Sequence, residues 1–129
     1  MKAITVEVAP GELIDKITIL AIKLERMTDA DKLANVTIEH DTLTKALAAA
    51  VAPSADLDRL TTALKAVNET LWDVEDDIRD CERDKNFGER FIELARAVYH
   101  TNDKRAALKK EINILLGSRI VEEKSYAAY

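Results

Sequence analysis

Glycine and proline are scarce in this sequence, with three of the first and two of the second among 129 residues. Sandwiches and barrels need both residue types at their many turns, so this scarcity argues against a β-rich fold. The single cysteine, Cys81, excludes an internal disulfide, and no cluster of Cys and His has zinc-site spacing. Few helix breakers, together with 47% apolar and 33% charged residues, favour long helices.

Basic residues are outnumbered as well, which gives a net charge of −5 and a pI near 5.1. Nucleic acids and anionic membranes bind basic surfaces, so we expect neither as a partner. No stretch of about 18 uncharged apolar residues is present, and Glu7 and Glu12 interrupt the beginning of the chain. Neither a membrane span nor a secretory signal is therefore predicted, and we expect a cytoplasmic protein with one domain over residues 1–129.

Residues 57–81 carry an apolar repeat whose gaps alternate between three and four without a slip. This spacing is typical of a helix that packs along its whole length against other helices. At 1.5 Å per residue the helix would span about 38 Å, so we take it as the central element of the fold. The members of the repeat are Leu57, Leu60, Leu64, Val67, Leu71, Val74, Ile78 and Cys81.

Two further helices are predicted before the central one from the same kind of repeat. The first begins at Pro10, which suits a first helical turn, and ends near Met27. The second covers about 32–52 and ends before Pro53, because a residue preceding proline is disfavoured in the helical region. Ser54 is expected to cap the central helix.

A fourth helix is predicted from Phe87 to Leu115, with Asn86 and Glu89 as its capping pair. The residue types of the segment 100–103, His-Thr-Asn-Asp, favour a loop. The apolar repeat nevertheless keeps its phase across this segment, so we predict one continuous helix. Two shorter helices are the alternative.

Residues 3–9 alternate in polarity, with Ile4, Val6 and Val8 on one side, and this pattern predicts a short strand. A lone strand needs a partner, and a second short strand at 119–122 can pair with it in the same chain or in another copy. We therefore expect an all-α antiparallel bundle of about four helices with a small N-/C-terminal β element. A homodimer is also expected, because the strands have few partners within the chain.

Polar residues interrupt two of the apolar repeats, His40 in the second helix and Thr101 and Arg105 in the fourth. Folding the chain at its short turns places them level with Asn68. Such a layer can be structural, with the buried His and Arg bound by Asn68, Glu69 or water, and it then fixes the packing register. It can also be the floor of a pocket for an anionic or polar ligand, with Arg105 as the bidentate group and His40 as the proton carrier.

Aromatic and basic residues flank this layer. Trp72 and Tyr99 lie on either side, with Lys23 and Arg96 near the same height. They either line a groove or form the edge of the core. The residues that we predict to bind a ligand are His40, Asn68, Trp72, Arg96, Tyr99, Thr101, Asn102 and Arg105.

Acidic residues recur on one face of the central helix and reappear on the facing part of the fourth. Carboxylates from two facing helices can hold Mg²⁺ or Mn²⁺, as in all-α nucleotide pyrophosphohydrolases. The Glu-Glu-x-x-Glu signature of those enzymes is absent. A solvated face paired with arginines, which needs no cofactor, is the competing interpretation. The candidate metal ligands are Glu69, Asp73, Asp76, Glu89 and Glu93.

The chain resembles a small bacterial family of unknown function, some members of which lie near genes for glycosyltransferases and surface polysaccharides. The resemblance covers nearly the whole chain and implies that Asn102, Asp103 and Arg105 are not arbitrary surface. It implies the same for the tail Glu122–Tyr126, and it names no catalytic residue. The stretches that carry it are Gly11–Leu20 with Ile22–Arg26, Leu71-Trp72 with Glu75–Arg79, and Phe91–Arg96 with Val98-Tyr99, Asn102-Asp103, Arg105 and Glu122–Tyr126.

No motif in the sequence is specific for a reaction, so whether the protein is an enzyme stays open. The leading hypothesis is a non-enzymatic binding or assembly module with a protein partner, in a glycosyltransferase system. The alternative is a metal-dependent hydrolase that acts on a nucleotide or sugar phosphate. In that case the five acids would bind the metal, and Arg105 or Lys23 would bind the phosphate.

Overall fold

Four helices make up the ordered body of the molecule in the computed structural model, which describes residues 1–129. They are α1 Pro10–Arg26, α2 Ala30–Ala50, α3 Ala55–Arg83 and α4 Glu89–Leu115. The predicted all-α bundle of four helices is confirmed, and so is the unbroken course of α4 through residues 100–103. None of the helices combines the length and the apolar character needed to cross a bilayer.

Helices α1 and α3 begin where Pro10 and Ser54 predict, and α2 begins two residues before its predicted start near residue 32. Pro10 is the first residue of α1. The Asp29 Oδ1 accepts a hydrogen bond of 2.9 Å from the backbone N–H of Lys32 at the start of α2. The Ser54 Oγ accepts one of 3.1 Å from the backbone N–H of Leu57. Each cap satisfies a backbone donor that the helix itself leaves unpaired.

The start of α4 differs from the prediction, whereas its end agrees with it. Gly88 is the N-cap, and the Asn86 Oδ1 accepts a hydrogen bond of 3.2 Å from the Gly88 N–H. Asn86 therefore closes the turn before the helix, and the capping pair with Glu89 does not form. Gly117 follows the helix with φ +65, a left-handed conformation that glycine adopts without a steric cost.

Helix α1 lies against all three other helices, and α3 also lies against α4. Helix α2 lies next to α1 alone, so the expectation that α2 and α3 are neighbours was wrong. Val36 is its only buried residue, because the apolar stripe of α2 is narrow and ends in small alanines. The arrangement is a core of α1, α3 and α4 with α2 on the outer side of α1.

Two apolar clusters fill the core, and both contain residues of α3 and α4. The larger consists of Ile14, Leu57, Leu60, Leu64 and Ile112, and the smaller of Val74, Cys81 and Leu94. Burying a side chain of this size contributes about 1.5–3 kcal/mol. Thr101 and Arg105, which interrupt the apolar repeat of α4, lie between the two clusters, and so does Asn68 on α3.

The predicted β element does not form, because neither residues 3–9 nor residues 119–122 are in a strand. The tail instead turns back along α4, where Glu122 contacts Lys109 at 3.3 Å and Tyr129 contacts Asp103. Residues 1–8 are exposed, and the ion pair of Glu7 with Arg119 connects them to the tail.

Candidate functional site

A buried carboxylate organises the polar layer. Asp15 is only 1% exposed, and its Oδ1 accepts a hydrogen bond of 2.9 Å from the Arg105 Nε. The Arg105 Nη2 donates to the other carboxylate oxygen, so the pair is bidentate. The Asn68 Nδ2 also donates to the Asp15 Oδ1, at 2.9 Å. The layer thus joins α1, α3 and α4 through one acid, which the sequence analysis did not identify as part of it.

Thr18 completes the hydrogen bonding on the α1 side. Its hydroxyl donates to the backbone carbonyl of Asp15 at 2.7 Å and accepts from the Asn68 Nδ2 at 2.9 Å. No buried side-chain nitrogen or oxygen in the molecule lacks a hydrogen-bond partner. A satisfied network of this kind holds the Arg105 guanidinium in one orientation.

The charges of the pair stabilise each other against the cost of burial. Burial raises the pKa of Asp15, but the hydrogen bonds from Arg105 and Asn68 outweigh it, so the pKa lies below its ordinary value. The hydrogen bond to Asp15 raises the pKa of Arg105. Both groups are therefore charged over the whole neutral range.

The stability of the fold should fall in acid because of Asp15. Its pKa is lower in the folded than in the unfolded chain, so its contribution is complete above about pH 3.9 and is lost as the pH falls through the folded value. Urea unfolding between pH 6 and about pH 2.5 measures this loss. The Asp15→Asn variant should show a flatter curve in that window, and parallel curves would contradict the assignment.

Two surface openings meet at Arg105. The first, of about 250 Å³, is lined by Asn68, Trp72, Asn102 and Arg105 together with Ile19, Ile22, Leu71, Glu75 and Val98. The second, of about 230 Å³, is lined by Asn102, Asp103, Arg105, Ala106, Lys109, Lys124 and Tyr126. Arg105, with a side chain 29% exposed, therefore connects the buried layer to the surface.

A wider groove of about 660 Å³ lies between α4 and the tail and shares Asn102 with both openings. Tyr99 of α4 lines one side, and Tyr126 and Tyr129 of the tail line the other. The rings of Tyr99 and Tyr129 lie 5.4 Å apart, and the Tyr129 hydroxyl donates to Asp103. This hydrogen bond raises the pKa of Tyr129. We call this space the tail groove.

The predicted ligand-binding residues are thus brought together in part. Asn68, Trp72, Asn102 and Arg105 line one opening, and Tyr99 joins them through the tail groove. Thr101 is buried and Arg96 is exposed, and neither is among the lining residues. His40 is half-buried on α2, which lies against neither α3 nor α4, so the structure does not bring it to the layer.

A carboxylate of the tail lies between two ammonium groups beside this region. The Glu122 Oε2 is 3.3 Å from the Lys109 Nζ, and its Oε1 is 3.0 Å from the Lys124 Nζ. The hydrogen bonds from Lys124 and Lys109 lower the pKa of Glu122. Burial lowers the pKa of Lys109, but its hydrogen bond of 2.6 Å to Glu12 outweighs this, and the pKa is raised.

Comparison with protein families gives one match, which covers residues 4–129 and is described as a family of unknown function, DUF6165. The chain belongs to DUF6165. No curated protein and no solved structure matches it.

The acidic face of α3 in this DUF6165 protein is largely engaged with arginines. Arg26 contacts Asp73 at 2.7 Å and Glu69 at 3.7 Å, and its guanidinium carbon lies 5.9 Å from the ring centre of Trp72. Glu93 is 4.0 Å from Arg90. Asp76 and Glu89 are exposed, and no three Asp, Glu, His or Cys side chains lie close enough together to hold a metal ion.

The sequence of this chain contained a signal for Asp15, the acid of the polar layer. Gly11, Ile14, Asp15, Thr18 and Ile22 recur at helical spacing and are all buried. The apolar repeat that predicts α1 is another row, Leu13, Ile17, Leu20, Leu24 and Met27, and its member Leu24 is 37% exposed. A buried arginine requires an acid at the same height, so Arg105 itself predicted a partner on a facing helix.

Proposed function

We propose that the protein is a non-enzymatic binding module whose ligand carries a carboxylate or phosphate group. The ligand docks in the tail groove, and its anionic group lies in the adjoining opening lined by Arg105, Lys109 and Lys124. The observation that supports this most directly is the position of Glu122 between Lys109 and Lys124. Two ammonium groups that hold one carboxylate can hold a competing anion of the same chemistry. Glu122 would then occupy the site until a ligand displaces it.

Arg105 supports the proposal because its orientation is fixed before a ligand arrives. The Nε and Nη2 atoms bind Asp15, and Nη1 forms no hydrogen bond within the chain. A guanidinium held by buried partners loses little conformational freedom when it binds an anion. The Asp15–Arg105 pair would therefore position a recognition group as well as stabilise the core.

The tail groove has the size and lining of a small-molecule site. Its volume of about 660 Å³ lies within the range of about 300–1,000 Å³ that such sites occupy. Tyrosine rings offer a flat apolar surface together with a polar hydroxyl, and the Asn102 amide adds a donor and an acceptor. A ligand with a ring next to its anionic group would suit this combination.

The resemblance described above supports the same ligand class. It suggests an association with glycosyltransferase and surface-polysaccharide systems, whose substrates include sugar nucleotides and acidic sugars. Both kinds of molecule combine a ring with phosphate or carboxylate groups. Binding of such a molecule without turnover is the function that we propose for the module.

Replacing Glu122 with glutamine should strengthen the binding of inorganic phosphate, because it removes the carboxylate that competes for Lys109 and Lys124. An exposed ion pair contributes up to about 1 kcal/mol, so the dissociation constant should fall by about two- to fivefold. Titration with phosphate, followed by the amide resonances of Lys109, Lys124 and Asn102, measures the change.

The matched control is Glu123→Gln, since Glu123 pairs with Lys110 at 3.5 Å beside the same helix. This variant removes the same charge and should leave the affinity for phosphate within about twofold of the wild type. Equal effects of the two substitutions would show a general charge effect and would overturn the proposal. Resonance shifts spread over all surface lysines would do the same.

A further inference from the structure

Exposed apolar side chains concentrate at the end of the molecule where α1 begins and α4 ends. Val8 lines a hollow there with Ile120, Asn113 and Glu122, and Glu7 pairs with Arg119 close by. The first residues of the chain, the end of α4 and the start of the tail therefore lie at the same end of the molecule. Its exposed apolar residues are Ile4, Val6, Val8, Ile114, Leu115 and Val121. We call this end of the molecule the apolar end.

The accessible surface of the chain is larger than that of a compact monomer of the same mass. The accessible area is 9008 Å², and only 18 of 129 residues are buried. A compact monomer of 14.4 kDa exposes about 6,800 Å², which is about 2,200 Å² less. Homodimer interfaces bury about 1,000–2,500 Å² per chain, so the excess equals what one such interface removes.

The main chain of residues 1–8 also lacks a partner. None of the backbone hydrogen bonds outside the helices involves these residues. The alternation of Ile4, Val6 and Val8 with Thr5 and Glu7 gives the segment one apolar and one polar face. Such a segment can donate and accept a full ladder of hydrogen bonds with a second strand.

The sequence of this segment is complementary to itself. In an antiparallel pair centred on Val6, Ile4 of one copy lies opposite Val8 of the other, and Val6 lies opposite Val6. Thr5 then lies opposite Glu7, so no like charges meet on the polar face. This register satisfies the two-fold symmetry of a homodimer, in which the same surface of each subunit forms the contact.

We propose that two copies of this chain associate through the apolar end, with residues 4–8 of each copy paired as antiparallel strands about Val6. A two-stranded ribbon is only marginally stable alone, and it needs an apolar surface beneath it. Ile114 and Leu115 of α4 and Val121, which are exposed at the same end of the molecule, would supply that surface. The strand predicted from the sequence thus forms between copies of the chain.

Light scattering of the full chain should give twice the mass of 14.4 kDa at micromolar concentration. Val6→Asp should give the mass of one chain, because it places two carboxylates opposite each other at the two-fold axis. The side chain of Val6 is 69% exposed, so the helical circular dichroism of the variant should be unchanged. The control is Ile38→Asp on α2, 67% exposed, which should remain a dimer.

Cysteine cross-linking tests the register independently. Val6→Cys should form an intermolecular disulfide under mild oxidation, because position 6 lies opposite itself. Thr5→Cys should not, since position 5 lies opposite position 7, and the native Cys81 is buried. A wild-type chain that is monomeric at about 100 μM, a folded Val6→Asp dimer, or equal cross-linking at both positions would each overturn the proposal.

Discussion

Replacing Asp15 with alanine should lower the free energy of unfolding by about 3 kcal/mol, because a buried pair that loses one partner leaves an uncompensated charge. The Arg105 guanidinium would keep its charge without its acceptor, and the Asn68 Nδ2 would lose one of two acceptors. Urea unfolding should show a midpoint lower by about 1–2 M.

The control for this prediction is an ion pair of comparable length on the surface. Lys65 contacts Glu25 at 2.7 Å, with side chains 30% and 51% exposed. Glu25→Ala should shift the urea midpoint much less than Asp15→Ala does, because water already screens the two charges. The central role of Asp15 would be refuted if its removal cost no more than that of Glu25.

A double substitution separates the contribution of the Asp15–Arg105 pair to stability from its proposed role in ligand binding. Asp15→Leu with Arg105→Met replaces the charges by apolar groups, and such exchanges are often neutral or stabilising. Recovery of most of the lost stability, together with a loss of phosphate binding, would indicate that the pair is retained for recognition. Retained phosphate binding in this variant would remove Arg105 from the proposed site.

Gly11→Val should destabilise the protein by about 2–3 kcal/mol, because α1 and α4 touch at this position. A Cβ at Gly11 would overlap the carbonyl oxygen of Lys109 and approach the Asn113 Oδ1 to 2.8 Å. The backbone N–H of Gly11 donates to the same Asn113 oxygen at 2.8 Å, so moving the helices apart would also break this bond. Thermal unfolding should occur about 8–12 °C lower.

Gly88 provides the control, since a Cβ there would meet only the Asn86 Oδ1 at 3.4 Å. Gly88→Ala changes the N-cap of α4 and should cost at most about 1 kcal/mol. If the two glycine substitutions lowered the stability equally, the loss of stability at Gly11 would come from replacing a glycine at the start of a helix. It would then not come from the close approach of α1 to α4.

The helices could be predicted well because each apolar repeat shows which face of its own helix is buried. The repeat of α3 and the phase of α4 across residues 100–103 are of this kind. The placement of α2 could not be derived in the same way. A repeat shows that a face is covered but not by which neighbour, and the match of His40 with Asn68 assumed that α2 and α3 touch.

The site was predictable where polar residues interrupt an apolar repeat, as Thr101 and Arg105 do in α4, and Asn68 followed from its matching height on α3. The part of the site formed by the tail was not predictable, because the tail is not a helix or strand and its sequence has no periodic pattern. The tail returns along α4 through ion pairs such as Lys109–Glu122, and the sequence does not encode such a path as a pattern. Asp15 was predictable only in part. The buried residues of α1 around it recur at helical spacing, but two of them, Asp15 and Thr18, are polar, so the row does not stand out as an apolar repeat.

Because α2 lies at the periphery, its residues are less constrained by packing than those of the α1, α3 and α4 core. Its 21 residues contribute one buried side chain, Val36, whereas the α1, α3 and α4 core holds the network around Asp15. Substitutions along the outer surface of α2 can therefore accumulate without disturbing that network. New surface chemistry can thus arise on α2 of this chain while the Asp15–Arg105 pair keeps its contacts.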